Sequence, residues 1–556
     1  MKILRKKSVH QINEADAAHG SLNKVLSVRD LTFFGIAAII GAGSFSSIGS
    51  ACFSGGPGVI FLFLICAVAC GFTALCYAEF ASRVPASGSA YTYAYVSFGE
   101  MFAWIIGWAL LMEYSIGNIY VAFSWSGYFT NLLEGFGLHL PQWLTINYSE
   151  ASSAFASNTA GEGLSAWSTA PVIGGLKIIF DLPAVCINII VTWLVYVGTK
   201  ESRNASNILV IIKLAIIALV ITVGVFYIDI DNWTPFMPNG FTGVMGGVAA
   251  VFFAYIGFDA VSTLAEESKN PQRDLPRGMI YSLIICTVVF VILALVLTGM
   301  VSYTELNVSD PLAEVFGKKG VKWMLFVVSI AAVVAMTSVI LVFQMGQPRI
   351  WMSMSRDGLL PKKFASIHPK YKTPGFSTIM TGLVVGIPLF FTNPKFVLDF
   401  TSIGTLFAFV LVCGGVLTLP PKQKEKGKFH LPYINGRYIV PAIVLVSFIL
   451  IFYFIPDFLS QQFSISVDNA AKTIPMLVFL LLCIFMAILS FVKNLSLIPV
   501  LGLLSCCYLL TGMEASNWIW FSAWLGIGLV VYLIYGYRKS LLNISAFKEQ
   551  GSDKGT

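Results

Sequence analysis

The stretch Ile39-Ile40-Gly41-Ala42-Gly43-Ser44-Phe45 interrupts an apolar segment that is long enough to cross a bilayer. A second stretch, Phe253-Ala254-Tyr255-Ile256-Gly257-Phe258-Asp259, interrupts another such segment near its middle. Hydrocarbon offers no hydrogen-bond partner to an open backbone, so a broken helix is tolerated in a membrane only where it faces a cavity inside the protein. Paired breaks in corresponding halves of a chain point to a binding site near the bilayer midplane. These two stretches therefore predict both the fold and the site.

The composition indicates an all-α polytopic membrane protein. Of the 556 residues, 57% are hydrophobic and 11% are charged, and the mean hydropathy is +0.80. A soluble domain carries roughly 25% charged residues. A membrane-spanning helix needs about 20 mostly apolar residues. On this criterion we predict fourteen spans, of which 376–392 and 496–512 are the shortest: 31–53, 57–80, 101–130, 179–198, 204–228, 242–263, 277–301, 323–352, 376–392, 396–419, 438–456, 474–492, 496–512 and 517–537.

Positive charge is concentrated in alternate connections between the predicted spans. The basic residues of these connections include Arg83, Lys200, Arg203, Lys269, Arg273, Arg277, Arg356, Lys362, Lys363, Lys370, Lys372, Lys422, Lys424, Lys426, Lys428 and Lys493. The positive-inside rule places this set on the cytoplasmic side of the cell (inner) membrane. The N-terminal segment 1–30 and the tail 538–556 fall on the same side, so both termini are predicted to be cytoplasmic. Lys318, Lys319 and Lys322 lie on the other side and are the exception.

The order of the spans predicts an internal repeat. Residues 31–228 hold five spans and residues 241–419 hold the next five, and each set opens with one of the broken helices. Because five is odd, the second set enters the membrane from the opposite face, which is the arithmetic of an inverted repeat. The four spans in 438–537 lie outside this five-plus-five repeat, and we expect them to be peripheral or to face another subunit.

The two breaks have complementary chemistry. Gly41 and Gly43 let the backbone leave helical geometry at low cost, and a helix that restarts near Ser44 presents N–H groups at its positive end, which suits a carboxylate. The half-helix that ends near 253–256 presents carbonyl groups, which suit an ammonium. If the two breaks face each other, they would bind an α-amino acid. The alternative is that the glycines only permit close helix packing.

We single out three charged residues that lie inside apolar runs: Glu113, Lys213 and Asp259. A charge at this depth costs at least ~2.5 kcal/mol, so it usually marks function. At 1.5 Å per residue all three lie about 15–20 Å from the cytoplasmic ends of their helices. Lys213 and Glu113 could pair, or Lys213 could exchange a proton or stand in for a sodium ion. The structural alternatives are a lysine that reaches the interface and, for Asp259, an N-cap. Tyr114 adjoins Glu113 and joins the candidate proton-coupling residues.

Other classes of function have little support in the sequence. The enzyme motifs HExxH and GxSxG are absent, and all five histidines lie outside the predicted spans, so we predict neither an enzyme nor a metal site. No cofactor is predicted. The net charge of +7 requires no nucleic-acid partner. Most of the ten cysteines lie in apolar runs, where they are expected to be small buried hydrophobic residues.

Four ordered segments resemble the amino acid–polyamine–organocation transporters, in particular the cationic amino acid transporter branch and its bacterial relatives. They are Ile40-Gly41-Ala42-Gly43-Ser44-Phe45, the run 79–91 (EFASRVPASGSAY), the run 253–271 (FAYIGFDAVSTLAEESKNP) and the run 354–361 (MSRDGLLP). The resemblance covers roughly residues 25 to 540. It implies a five-plus-five inverted-repeat fold with alternating access. In the family the first motif usually continues with Ile or Val after its second glycine, where this chain has Ser44-Phe45.

The resemblance also implies roles for individual residues. Ile40 and the segment Gly41, Ala42, Gly43 and Ser44 would hold the substrate carboxylate and part of its ammonium. Phe253, Ala254 and Ile256 would offer carbonyls to the ammonium beside Gly257, and Phe253 would close over the substrate. Lys213 matches a lysine that occupies a sodium-site position in proton-dependent relatives. Met336 falls where side-chain specificity is set, and its apolar bulk favours small or neutral substrates.

The leading functional prediction is a proton-coupled amino acid transporter in contact with membrane lipids. One alternative is an exchanger of cationic amino acids or polyamines. Another is a non-transporting amino-acid sensor, against which the lack of a soluble signalling domain argues. The sequence does not determine the substrate side chain or the oligomeric state.

Overall fold

The computed structural model describes residues 5–7, 22–41, 43–157, 162–308, 310–392, 394–419, 428–454, 470–513 and 515–542. Ala42, most of the predicted segment 1–30 and the tail from residue 543 lie outside the described residues. Nearly all of the described chain is helical, with one two-stranded antiparallel ladder formed by β1 (Val172–Ile173) and β2 (Leu176–Lys177). The α-helices are α1 (Val28–Ile39), α2 (Ile48–Gly55), α3 (Val59–Arg83), α4 (Ala90–Ser97), α5 (Glu100–Gly135), α6 (Tyr148–Ala156), α7 (Glu162–Thr169), α8 (Leu182–Val197), α9 (Thr199–Val225), α10 (Gly240–Gly246), α11 (Val248–Tyr255), α12 (Pro271–Met300), α13 (Pro311–Lys318), α14 (Lys322–Arg356), α15 (Gly375–Gly386), α16 (Pro394–Thr418), α17 (Ile439–Phe454), α18 (Ala470–Lys493), α19 (Leu497–Thr511), α20 (Ala515–Val531) and α21 (Tyr537–Lys539).

Many of these helices are suited to a bilayer. In the part of the chain that the structure describes, seven helical stretches are long and apolar enough to cross a membrane: Ile48–Arg83, Glu100–Gly135, Ser202–Val225, Pro271–Met300, Lys322–Arg356, Thr473–Lys493 and Ser516–Lys539. Five apolar helices are shorter: Leu182–Val197, Gly375–Phe390, Ser402–Thr418, Ile439–Tyr453 and Leu497–Thr511. Large apolar side chains such as Trp193 and Ile284 are more than half exposed, as expected of surfaces that face lipid. The prediction of a polytopic helical membrane protein is confirmed.

The first broken helix consists of α1, a π-helical turn and α2. A capping box starts α1, because Ser27 Oγ accepts a bond from the Asp30 N–H and the Asp30 carboxylate accepts one from the Ser27 N–H. The helix ends at Ile39, and Ile40 has an extended backbone with ψ of 94°. The π-helical turn Gly43–Ser47 then leads into α2. The chain therefore loses α-helical geometry at Ile40 and regains it only at Ile48.

The second broken helix breaks more sharply. Helix α11 ends at Tyr255, Ile256 is extended, and Gly257 has a φ of 117°, a conformation that favours glycine. The chain continues as a 3₁₀-helix, Phe258–Glu267, and not as an α-helix. The break therefore falls at Ile256–Gly257, three residues beyond Phe253.

The two breaks pack against each other. A methyl group placed on Gly43 would meet the Ala254 Cα at 2.6 Å, and one placed on Gly257 would meet the Ala38 Cβ at 2.7 Å. Ser47 Oγ donates to the Ala250 carbonyl at 3.0 Å. Since the numbering rises along one segment and falls along the other, the two broken helices run antiparallel. Glycine allows this close approach because any side chain at Gly43 would strike backbone.

Two long helices flank the breaks. Helices α5 and α14 contact each other through the rings of Tyr114 and Phe343, whose centroids are 5.4 Å apart. Gln347 Nε2 donates to Ser115 Oγ at 2.7 Å. Nearer the start of α5, Trp104 Nε1 donates to the Gly528 carbonyl of α20 at 2.7 Å. The last four helices were predicted to be peripheral or to face another subunit, and one of them, α20, contacts α5.

The segment that joins α5 to α8 has short elements of its own. It contains α6, α7 and the β1–β2 ladder, which surround a small core that includes Ile146, Ala151 and Ala166. On the same face, Lys318 Nζ lies 2.8 Å from Glu305 and 3.4 Å from Glu314. These carboxylates compensate one of the lysines that depart from the positive-inside pattern.

Candidate functional site

A narrow cavity lies where the two breaks meet α5 and α14. Its lining residues are Ala38, Ile39, Gly43, Gly117, Val121, Phe253, Ile256, Val339 and Phe343. Its volume is about 20 Å³, which is room for about one water molecule. The cavity is therefore closed around little free space in the conformation described here.

The first break supplies polar groups at one end of this region. Ser44 N–H donates to the Gly41 carbonyl at 3.0 Å and Phe45 N–H donates to the same oxygen at 3.3 Å. The predicted set of free N–H groups is therefore reduced at Ser44. The Ser44 hydroxyl is 1% exposed and makes no hydrogen bond among the described residues. A buried hydroxyl without a partner is costly, so it marks a place where a polar ligand would be stabilised.

The residue after Ser44 departs from the family motif without entering the cavity. Phe45 is fully buried, and its ring packs edge-on against Tyr128 at a centroid distance of 6.5 Å. It does not belong to the lining of the cavity. Phe45 therefore packs against α5 outside the lining of the cavity.

The second break lies across the cavity from the first. Ile256 N–H bonds back to the Phe253 carbonyl at 3.3 Å. The Phe253 ring lines the cavity and packs edge-on against Tyr120, with centroids 5.7 Å apart. Ala254 and Gly257 face the first broken helix, as described above. The break therefore contributes Phe253 and Ile256 to the lining of the same small space.

The wall formed by α5 and α14 is apolar. Gly117 and Val121 of α5 face Val339 and Phe343 of α14 across the cavity. Met336 was predicted to set side-chain specificity; it is fully buried but does not line the cavity. Met336, Val339 and Phe343 share one helix face at spacings of three and four residues. Met336 therefore shares a helix face with two cavity residues, and the helical period could have led on to Val339 and Phe343.

Lys213 is buried and held by uncharged oxygens. Its Nζ donates to the carbonyls of Ile36 at 3.1 Å, Ala37 at 3.1 Å and Ile40 at 2.6 Å, and it also contacts Ser338 Oγ of α14 at 2.9 Å. The lysine is 0% exposed, so it does not reach the membrane interface. It therefore joins three elements, α9, the first broken helix and α14, at the last turn before the first break.

Glu113 and Asp259 form a separate polar cluster. The two buried carboxylates interact electrostatically with each other, and Thr405 bonds to Glu113. The Asp259 carboxylate faces backbone amides at the start of the 3₁₀-helix, including those of Gly257 and Ala260. One oxygen of each carboxylate and the Tyr114 hydroxyl are buried without a hydrogen-bond partner among the described residues. The bonds of Lys213 go to other groups, so the pairing of Lys213 with Glu113 considered from the sequence is absent from the described contacts.

Comparison with known proteins identifies the family. The sequence profile of the amino acid permease family matches residues 26–493, and the profile of the permease C-terminus matches residues 495–540. The chain is 36% identical to the branched-chain amino acid permease BcaP of Bacillus subtilis (strain 168), over 97% of this chain and 99% of the relative.

Two further relatives show how widely the named substrates range. The methylthioribose transporter of the same bacterium is also 36% identical, again over 97% of this chain and 99% of the relative. The vacuolar cationic amino acid transporter 4 of Arabidopsis thaliana is 36% identical over 74% of this chain and 65% of its own length. The chain belongs to the amino acid permease family of the amino acid–polyamine–organocation superfamily, and it is a secondary amino acid transporter and not an enzyme.

Proposed function

We propose that this permease carries a neutral amino acid with an apolar side chain together with a proton, by alternating access. The observation that carries the proposal is the contact between the two breaks beside an apolar cavity, with Lys213 bonded to the first break. The proposal has three parts. They concern how the two ends of the substrate are bound, where its side chain lies and which residue carries the coupled proton.

The two breaks bind the two ends of the substrate. The carboxylate lies against the segment from Ile40 to Ser44 and takes a bond from the unpartnered Ser44 hydroxyl. The ammonium donates hydrogen bonds to backbone carbonyls of the segment from Phe253 to Ile256. A helix start and a helix end carry opposite partial charges, so one site can satisfy both groups. Because the cavity holds about one water molecule, the Phe253 ring must move to admit substrate, and it closes again over it.

The side chain of the substrate enters the space between α5 and α14. Gly117, Val121, Val339 and Phe343 present no charge and no hydrogen-bonding side chain to this space. A charged side chain would lose its hydration there without a partner, which is costly. We therefore assign an aliphatic substrate such as leucine, the class named for the bacterial relative BcaP.

Lys213 carries the coupled proton. A charged ammonium has three N–H donors for the four oxygens around it, and a neutral amine has two. Loss of the proton therefore releases at least one carbonyl of the first broken helix next to the substrate carboxylate. The cluster of Glu113, Tyr114 and Asp259 serves as a second station for protons.

The fold that supports this cycle is the five-plus-five inverted repeat. Residues 31–228 and 241–419 form its halves, the helices of 438–537 complete fourteen spans, and both termini face the cytoplasm. In support, the breaks open the first and the sixth helix and run antiparallel where they touch. The basic connections favour this orientation in the cell membrane.

Uptake into proteoliposomes tests the proposal. We expect radiolabelled leucine to accumulate when the interior is alkaline, and to equilibrate without accumulating when no gradient is imposed. Competition by unlabelled alanine, leucine, arginine and lysine identifies the side-chain class, with inhibition expected from the first two. Accumulation driven by sodium alone would contradict the role of Lys213.

A cationic substrate is the second candidate. Glu113 lies one helical turn below Gly117 on α5 and has one unpartnered carboxylate oxygen. A long basic side chain that passed Gly117 would reach it, as in an exchanger of cationic amino acids or polyamines. Inhibition of leucine uptake by arginine and lysine in the same assay would favour a cationic substrate and reject an aliphatic one.

A further inference from the structure

Three ion pairs join the end of α14 to other parts of the chain. Arg349 pairs with Glu267, Arg356 pairs with Glu266, and Lys7 pairs with Asp357. By contrast, Arg83 and Glu79 are four residues apart, and Arg273 and Asp274 are neighbours. The three pairs at α14 instead connect segments that are far apart in sequence, and all of them are at least largely buried.

The pair formed by Arg349 and Glu267 is the most deeply buried. Their side chains are 2% and 0% exposed. Arg349 Nε lies 2.8 Å from one Glu267 oxygen and Nη2 lies 2.7 Å from the other, which is the bidentate geometry that an arginine fork forms with a carboxylate. Arg349 Nη1 also donates to the Met345 carbonyl. This arrangement holds α14 in a defined position against the last residue of the 3₁₀-helix.

The segment that Arg349 holds includes the inner ends of both broken helices. Leu26 N–H donates to the Glu267 carbonyl at 3.0 Å, and Lys269 N–H donates to the Leu26 carbonyl at 2.9 Å. Leu26 lies two residues before α1, and Glu267 ends the 3₁₀-helix that follows the second break. The two broken helices are therefore tied together at this end, and Arg349 ties both to α14.

The pair lies between the cavity and the face of the protein that carries the N-terminus. Arg349 is six residues past the cavity residue Phe343, or about 9 Å along the α-helix. Glu267 is ten residues past Gly257 and lies beyond a kink in the 3₁₀ segment at Leu264. A path from the cavity to this face has to separate α14 from the tied ends of the broken helices, and that separation breaks the pair.

We propose that Arg349 and Glu267 form the gate that keeps the site closed toward the N-terminal face, with the two neighbouring ion pairs as its outer layer. The inference rests on the alternating access proposed above. A buried charge that loses its partner is strongly unfavourable unless water reaches it. The gate therefore opens only together with entry of water, and weakening it shifts the population toward the state open to this face.

The test measures access to the cavity, independently of transport. Ala38 lines the cavity, and Ala38→Cys is labelled in proteoliposomes by a membrane-impermeant maleimide added to one face at a time. The parent without this cysteine gives the background from native cysteines. We expect Glu267→Gln and Arg349→Gln to raise the rate of labelling from the N-terminal face by about tenfold, and to leave labelling from the opposite face unchanged or lower.

Two controls separate a gate from a general loss of packing. The charge swap Glu267→Arg with Arg349→Glu restores a pair. It should return the labelling rate toward that of Ala38→Cys alone. Lys318→Gln removes a partly exposed ion pair on the opposite face and should change nothing. Where a neutral variant does not fold, Arg349→Lys keeps the charge but loses the fork and should give an intermediate rate.

Two outcomes overturn the gate. One is an unchanged rate in folded variants, and the other is an equal rise from both faces, which indicates loosened packing. A different result would reject the proposed transport cycle itself. In that case, labelling of Ala38→Cys alone from each face would not respond to leucine or to pH. Failure of the gate and failure of the cycle are therefore distinguishable.

Discussion

Lys213 and Arg349 are both buried cations that connect a broken helix to α14, but their partners differ. Lys213 is 0% exposed and bonds to three carbonyls and a hydroxyl. Arg349 is 1% exposed and bonds to a carboxylate through two parallel contacts. The first cation lies beside the cavity, and the second lies about 9 Å beyond the last cavity residue of α14.

The difference separates a site that can lose its proton from a site that cannot. A lysine surrounded by neutral oxygens can become neutral without leaving a charge unpaired, and buried lysines shift their proton affinity readily. An arginine stays charged in proteins, and its loss would remove the bidentate partner of the buried Glu267 carboxylate. In the proposed transport cycle, lysine thus lies where protonation changes, and arginine lies where a contact persists until the helices separate.

The largest expected effect comes from removing the titratable cation. Lys213→Met should lower proton-driven uptake of leucine by about a hundredfold, because the carbonyls around the first break lose their donor and no group there can take up the proton. Initial rates in proteoliposomes at a fixed pH gradient measure the effect. Lys318→Met, at an exposed lysine, is the matched control. Retention of more than half of the gradient-driven rate in Lys213→Met would remove the distinction between the two cations.

The second effect concerns stability. Arg349→Gln should destabilise the fold by about 3–5 kcal/mol, because it removes the bidentate partner of a fully buried carboxylate. Lys318→Gln, at a partly exposed pair, should cost less than about 1 kcal/mol. Thermal unfolding of both variants in the same detergent gives the ranking. Equal melting temperatures would show that burial of the Arg349 pair contributes nothing beyond a surface pair.

A third and smaller effect is expected at the carboxylate end of the site. Ser44→Ala should weaken leucine binding by about tenfold, because a hydrogen bond to a charged group contributes about 1.5–3 kcal/mol. The melting temperature without substrate should not fall, since the Ser44 hydroxyl has no partner in the described structure. Binding by calorimetry and unfolding without ligand test the two halves. A stability loss with unchanged affinity would make Ser44 a structural residue.

The smallest effect is a change in selectivity. A methyl group placed on Gly117 would lie 3.1 Å from the Phe343 ring and would narrow the side-chain space. Gly117→Ala should therefore reduce the preference for leucine over alanine by about tenfold, the usual value of one or two methylene groups in an apolar pocket. A methyl group placed on Gly127 of the same helix would meet no atom within 4 Å, so Gly127→Ala is the control. Met336→Leu should leave the ratio unchanged, and a change there would restore Met336 as the specificity residue.

Much of this protein could be read from its sequence. The apolar runs are long enough to predict helices and a membrane location by themselves, and the motifs around Gly41 and Gly257 identified the family. Lys213 was predicted because a charge inside an apolar run is visible without coordinates. Arg349 was missed because it lies at the end of its predicted span, where an arginine is unremarkable, and because its partner Glu267 is 82 residues away.

Local patterns thus determined what can be decided along one helix: where helices form, where they break, and which residues are charged in an apolar setting. The tertiary structure decided which groups meet. Gly43 meets Ala254, Lys213 bonds to the first broken helix and not to Glu113, and Val339 and Phe343 line the cavity where Met336 does not. The physical reason is that periodicity specifies a face of a helix, whereas depth and partner depend on how helices pack. Packing is set by contacts between residues far apart in the chain, and a single sequence does not show them.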